Sequence, residues 1–238
     1  MISAMFQERP LFYNLNAQAP WRSDAVISLI GLLILLAWDF SGGDMQMAQW
    51  WGEPSGFALR DNRWMVKVMH EGLRNAGWVL LLALGAGIWR PWGPLRHLAT
   101  GERVGLFLSV VCALLVVTLI KGISKTSCPW DLQVFGGTAN YISHWNVFEV
   151  DGGGGHCFPA GHASTGFAFM AAYFSLRQSG APSASICLAG ALLAGLVLGV
   201  AQQMRGAHFM SHTLWTAWLC WTAGWLSHLL FNRLRGKS

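Results

Sequence analysis

Long apolar stretches with few charges constrain this chain more than any other feature of its sequence. Of its 238 residues, 53% are hydrophobic and only 11% are charged, whereas about a quarter of a soluble domain is charged. So few charges leave too little polar surface to cover a water-facing globule, and the bilayer is the expected solvent. Many tryptophans flank the apolar runs, as expected at the membrane–water boundary: Trp21, Trp38, Trp50, Trp51, Trp64, Trp89 and Trp92.

Six apolar runs predict six membrane helices, at about 24–40, 76–90, 104–121, 162–177, 183–202 and 212–231. The shorter runs reach the ~20 residues of a span only with adjoining semi-polar residues. The first has no small-residue cleavage site after it and begins late for a signal peptide, so we expect it to be retained. Residues 41–75 predict a periplasmic segment lying in the interface. The expected fold is an all-α, integral membrane six-helix bundle forming a single domain over 1–238.

The distribution of charges predicts the orientation. With both termini in the cytoplasm, the inner side carries nine Lys or Arg against three acids, and the outer side seven against eight. Basic residues favour the cytoplasmic side, so we expect a bacterial inner-membrane protein with both termini inside. The net charge of +5 does not indicate nucleic-acid binding, because the basic residues are dispersed and form no recognised motif.

The cysteines fall into two groups. Cys112, Cys187 and Cys220 lie inside apolar runs, where a free cysteine behaves as a small hydrophobe. Cys128 and Cys157 share a long loop that the topology places in the periplasm, where oxidation is permitted. We therefore predict a Cys128–Cys157 disulfide, with two free thiols as the alternative.

Three clusters of reactive residues fall at the outer ends of the predicted helices. They are residues 121–131, the turn Cys157-Phe-Pro-Ala-Gly-His162-Ala-Ser164, and residues 202–212. Lys121 and Lys125, one helical turn apart, are candidates to bind one anion. Backbone N–H groups around Gly161, where a helix begins, form a potential phosphate site.

The histidines of these clusters predict phosphoryl transfer. His162 is a candidate proton donor and His208 a candidate nucleophile that forms a phosphohistidine. His212, one turn further on, either orients His208 or has no role, and Arg205 faces the same side. His70, His97 and His228 are interpreted as interfacial or packing residues, and His144 and His156 as lesser candidates for substrate contact.

The clusters resemble the type 2 phosphatidic acid phosphatase (PAP2) family, whose motifs are K-x6-R-P, P-S-G-H and S-R-x5-H-x3-D on a six-helix core. Lys121 and Pro129 fit the first motif, Pro159-x-Gly161-His162 the second and His208 the third, within residues of about 104–230. The resemblance implies a His208 nucleophile and a His162 general acid. It also implies phosphate binding by Lys121 and by the turn that contains Ala160 and Gly161.

Several motif positions differ from the family pattern. Cys128 replaces the first arginine, Gln202 the second, and His212 the aspartate. Lys125 and Arg205 are candidate replacements for the charges, Gln202 remains a candidate phosphate ligand, and Asp131 is a possible orienting carboxylate. A rival register makes His212 the nucleophile, with Arg205 as the motif arginine and Thr216 in the place of the acid.

The leading hypothesis is a lipid phosphatase without metal or other cofactor, its site facing the periplasm. The expected substrates are phosphatidate, phosphatidylglycerophosphate, a polyprenyl diphosphate or lipid A. Alternatives are a phosphotransferase that uses the same phosphoenzyme, a non-catalytic lipid-phosphate binder and a transporter-like protein. A metal or haem protein is disfavoured, because there is no Cys/His pair at a standard zinc spacing and no haem-attachment motif.

Overall fold

A computed structural model describes residues 20–235 of the chain. Glu8, Arg9 and Lys237, which entered the charge distribution, lie outside the described residues. The described part is mostly helical, and its α-helices are α1 (Pro20–Asp39), α2 (Gly43–Ala48), α3 (Leu73–Ala86), α4 (Thr100–Ile123), α5 (Gly161–Phe167), α6 (Ala171–Gln178), α7 (Ala184–Met204) and α8 (Met210–Arg235).

Three of the described helices are long and apolar enough to cross a membrane: Trp21–Asp39 within α1, all of α4, and all of α7. Each has at least 19 residues, close to the ~20 that a hydrocarbon core requires. Together with the high apolar content of the chain, these helices indicate a membrane protein.

The other three predicted spans correspond to less regular or more polar helices. A π-helix (Met65–Gly72) runs into α3, so this helix begins well before the predicted residue 76. A short 3₁₀ segment (Ala168–Met170) joins α5 to α6. α8 is long enough to span but contains many Ser, Thr, His and Asn residues. An arrangement of six spans therefore stays a prediction.

α5 and α7 pack with their backbones in contact, because glycine lies on both sides. A Cβ atom on Gly166 would lie 2.3 Å from the backbone nitrogen of Gly195. Small residues allow this close approach, which provides van der Waals packing between helices in a membrane. Since His162 is the second residue of α5, this contact fixes the position of one candidate catalytic residue.

We expect the substitution Gly166→Ala to destabilise the protein, because the new methyl group would push α5 away from α7. Overpacking of this kind lowers the free energy of unfolding by about 1–3 kcal/mol. Gly190→Ala in α7 is the matched control, since a Cβ at this position meets nothing within 4 Å. Thermal unfolding of both variants in detergent tests this expectation. Equal unfolding midpoints for the two variants would contradict the close packing of α5 on α7.

The segments between α1 and the π-helix and between α4 and α5 pack together at one end of the helices. A two-stranded hairpin (β1 Gly52–Glu53, β2 Gly56–Phe57) pairs Gly52 with Phe57. Phe57 packs with Phe135 and Phe209 in a small apolar cluster. The buried Asp151 carboxylate accepts hydrogen bonds from the N–H and the hydroxyl of Ser127. These contacts hold the loops against the ends of α4, α5 and α8, where the three reactive clusters meet.

Candidate active site

The three clusters converge around His208, which lies in the turn between α7 and α8. Lys121 comes from the end of α4 and His162 from the start of α5. Burial lowers the pKa of His208 well below its ordinary value of 6.5, and the positive charge of Lys121 lowers it further. His208 is therefore neutral at pH 7, the form in which an imidazole acts as a nucleophile.

His208 and His212 face each other through one nitrogen each. Their Nδ1 atoms are 3.4 Å apart, so one ring donates the proton and the other accepts it. The second polar neighbour of His208, the Sγ atom of Cys157, lies 3.6 Å from the same Nδ1. Since Nδ1 makes both contacts, Nε2 of His208 is the nitrogen available for attack on a phosphorus atom.

His162 is held by a stacked histidine that the sequence analysis interpreted as a packing residue. The rings of His70 and His162 are stacked with their centroids 3.7 Å apart. Nε2 of His162 is buried and has no hydrogen-bond partner within residues 20–235. The stack fixes the ring plane and leaves this nitrogen available to contact a ligand.

Gln202, which occupies the position of the third-motif arginine, is almost fully buried beside Arg205. Its Oε1 accepts a hydrogen bond from Nη1 of Arg205 at 3.1 Å and lies 3.4 Å from Nδ1 of His70. Its amide nitrogen is buried and makes no hydrogen bond in the described part of the chain. Arg205 is anchored by Nε, which donates to the carbonyl of Arg60. Gln202 thus presents a neutral donor where the family has a charged one.

Lys121 lies against the turn that precedes His162. Its ammonium donates a hydrogen bond to the carbonyl of His156, and its side chain would be 3.3 Å from a Cβ on Gly161. The N–H of Ala160 already donates to the carbonyl of His212. The N–H groups of Gly161 and His162 open α5 and have no acceptor within the helix, so they are the free donors of this turn.

Two candidate site residues lie differently from the sequence-based geometry. α4 ends at Ile123 and Ser124 is extended, so the exposed Lys125 does not lie one helical turn beyond Lys121. The prediction that both lysines bind one anion therefore loses its geometric basis. Asp131 is half-buried, and its Oδ2 accepts a hydrogen bond from the N–H of Cys128. That carboxylate caps its own 3₁₀ turn (Pro129–Asp131), so no contact supports its role in orienting a histidine.

The contacts of Thr216 favour His208 over His212 as the nucleophile. In the rival register, Thr216 replaces the acid that would orient His212. The Thr216 hydroxyl instead donates to backbone carbonyls, that of His212 at 2.7 Å and that of Ala160 at 3.2 Å. It therefore braces α8 against the turn before α5 and does not contact an imidazole nitrogen.

Cys128 and Cys157 form a disulfide that joins the loop after α4 to the turn before α5. Cys157, His208 and His212 bring three potential metal-ligand atoms within 4.8 Å of one another. The bonded sulfur of Cys157 cannot provide a thiolate, which is the form that binds a metal. Two imidazoles are fewer than the three protein ligands of a catalytic zinc site, so this set of donors does not fit zinc while the disulfide is intact.

A groove of about 250 Å³ opens beside His162. Its walls come from α3, α4, α5 and the 3₁₀ segment after α5 and are largely apolar, with Trp78, Leu81, Leu114 and Phe169 among them. The polar side chains of Arg74, Lys121 and His162 also line it. Arg74 was not identified from the sequence, because a lone arginine near a helix end is typical of a membrane protein.

The comparisons with known proteins identify one family. The family model described as the PAP2 superfamily matches residues 103–235, which is more than half of the chain. No curated protein and no solved structure matches the chain significantly. The matched region contains Lys121, His162 and His208, so it includes all three of the clusters that meet in the structure.

Proposed function

The chain belongs to the PAP2 superfamily, and from that premise we propose that it removes phosphate from a phosphorylated lipid at the periplasmic face of a bacterial inner membrane. Membership supports phosphatase activity on phosphate esters. The periplasmic location is supported by the charge distribution and by the disulfide beside the site, since disulfides persist in that compartment.

In the first step, Nε2 of the neutral His208 attacks the phosphorus atom and the lipid oxygen leaves. Burial lowers the pKa of His162 to about 3, so its ring is neutral until a substrate binds and takes up the proton of the phosphate monoanion. His162 then donates this proton to the leaving oxygen, so that an alcohol rather than an alkoxide is released. Lys121, the amide of Gln202 and the N–H groups of Gly161 and His162 bind the non-bridging oxygens. Their preorganised positive charge stabilises the charge of the transferred phosphoryl group.

In the second step, water replaces His208 on phosphorus. His162, which has lost its proton in the first step, accepts one from this water, and inorganic phosphate and a neutral His208 are formed. Arg205 and His70 hold Gln202 in place during both steps through its Oε1 atom. The mechanism uses only protein side chains and backbone groups.

The main observation in favour of a lipid substrate is the groove beside His162. A soluble phosphate ester has no need of a largely apolar groove whose lining includes Arg74, Lys121 and His162. An acyl or prenyl chain would gain about 0.8 kcal/mol for each CH₂ group that it buries relative to water. The groove thus accommodates the chain while its phosphate binds at Lys121 and His162, the site residues that line it.

Filling the groove distinguishes a lipid from a soluble substrate. We expect Leu114→Trp, which inserts a larger side chain into the groove, to lower kcat/KM for a long-chain lipid phosphate by about tenfold. Hydrolysis of p-nitrophenyl phosphate, which has no chain, should be unaffected. Leu115→Trp is the matched control on α4, because Leu115 is 54% exposed and does not line the groove. Equal losses with both substrates would contradict a chain-binding role.

Phosphate release by the purified protein in detergent tests the proposed function. The substrate panel contains phosphatidate, phosphatidylglycerophosphate, a polyprenyl diphosphate and lipid A. Release from one class over the others would name the substrate. Product that carries phosphate only when an acceptor lipid is added would instead identify a phosphotransferase, and binding without turnover would identify a lipid-phosphate binder.

A further inference from the structure

The nucleophilic histidine has no motif carboxylate to balance its charge. When Nε2 of His208 bonds to phosphorus, the ring becomes a cation, and in related mechanisms a buried carboxylate stabilises such a ring. Here His212 occupies the position of the motif aspartate, and a histidine is either neutral or positively charged. The other groups that interact electrostatically with His208 are Lys121 and His162, and neither carries a negative charge.

A buried carboxylate does lie on the other side of His212, at the end of α1. The Asp39 side chain is 2% exposed, and its Oδ2 accepts hydrogen bonds from the indole nitrogens of Trp145 and Trp215. Its Oδ1 is buried without a hydrogen-bond partner among residues 20–235. A charged group this deeply buried is costly unless it interacts with a cation or stabilises one.

The ring of His144 lies next to both this carboxylate and the ring of His212. Nε2 of His144 lies 3.2 Å from Oδ2 of Asp39 but is not aligned for a hydrogen bond, and it has no hydrogen-bond partner within residues 20–235. The His144 ring stands perpendicular to that of His212, with centroids 6.1 Å apart. Phe158 stacks on His144 at 4.3 Å and holds it in this position.

The geometry points to Asp39 as the carboxylate that replaces the missing motif aspartate, acting on His208 through His144 and His212. Nδ1 of His208 donates its proton toward Nδ1 of His212, 3.4 Å away. When His208 is phosphorylated, the His208–His212 pair carries a positive charge, and the negative charge of Asp39 beside His144 attracts it. Water screens this attraction only weakly, because the side chains of all four residues are buried or nearly so. Asp39 and His144 are therefore positioning residues, whereas His208 bonds to the substrate.

The test compares variants that separate charge from shape. Asp39→Asn keeps an oxygen for the two indole N–H groups but removes the negative charge. We expect its kcat to fall about 10–100-fold, the loss seen when a residue that hydrogen-bonds a metal-binding histidine is replaced. Its KM should change little. Asp39→Glu restores the charge and should recover part of the loss. His144→Phe retains the stacking on Phe158 without the nitrogens and should resemble Asp39→Asn. The double variant should lose no more than the worse single one, because both changes break the same connection.

Glu149→Gln is the control, because it removes one negative charge from an exposed position of the same loop as His144; its kcat should equal that of the wild type. The inference rests on the proposed function, and the outcomes separate the two. A wild type that hydrolyses no phosphorylated lipid overturns both. An active wild type with an equally active Asp39→Asn variant overturns this inference alone, as does a larger loss in Asp131→Asn than in Asp39→Asn.

Discussion

Replacing His208 by alanine is expected to lower kcat for lipid phosphate hydrolysis by about 10⁴-fold or more, since the variant cannot form the covalent intermediate. Loss of a nucleophile is among the largest effects that a single substitution has on an enzyme. The measurement is the rate of phosphate release by the purified variant. Thermal unfolding of the same sample verifies that the fold is retained.

His212→Ala is the matched variant, because it removes an imidazole of equal size four residues away. We expect a smaller loss, since His212 contacts the nucleophile through Nδ1 but does not bond to phosphorus. The reverse order, an inactive His212→Ala and an active His208→Ala, would show that His212 is the nucleophile. It would also contradict the interpretation of Thr216 as a brace between α8 and the turn before α5.

The second large effect is expected from His162→Ala. Removal of a general acid costs about 10²–10⁴-fold, and the size of the loss depends on the leaving group. A lipid alcohol leaves poorly unless it is protonated, whereas p-nitrophenolate leaves without help. We therefore expect a large loss of kcat with a lipid phosphate and a much smaller loss in the first step with p-nitrophenyl phosphate, measured as the burst of p-nitrophenol.

The control for His162 is His70→Ala, which removes the stacked ring but leaves the proton donor. His70 contacts His162 through its face and Gln202 through Nδ1, so its loss should affect both substrates to a similar, modest extent. If His162→Ala lost equal activity with both leaving groups, His162 would bind phosphate rather than donate a proton. The role of the free Nε2 atom would then have to be reassigned.

Much of the site follows from sequence because its residues occur at helix ends. Hydropathy and charge place the ends of the predicted helices on one side, and the motif spacing then selects Lys121, His162 and His208. Lys125 illustrates the limit of this reasoning. Whether it lies on the same helical face as Lys121 depends on where α4 ends, and such boundaries are uncertain by one or two residues even in a structure.

The residues that sequence reasoning missed belong to segments whose paths are set by tertiary contacts. From the sequence, Asp39 looks like an acid that ends a membrane helix, and His144 is only a lesser candidate for substrate contact. Only the packing of the loop between α4 and α5 against α1 and α8 brings them to His212. His70 was missed because the helix before α3 begins at Met65 and includes a π-helical stretch, a feature that often accompanies functional sites.

Trapping of the phosphoenzyme tests the central claim most directly. His162→Ala should accumulate the intermediate from p-nitrophenyl phosphate, because this leaving group needs no acid while the attacking water lacks its base. The protein is quenched at alkaline pH and digested, and the phosphorylated peptide is sequenced by mass spectrometry. The account predicts phosphate on His208 and none in the variant that also carries His208→Ala. Phosphate on His212, or turnover of the wild type without any phosphohistidine, would contradict it.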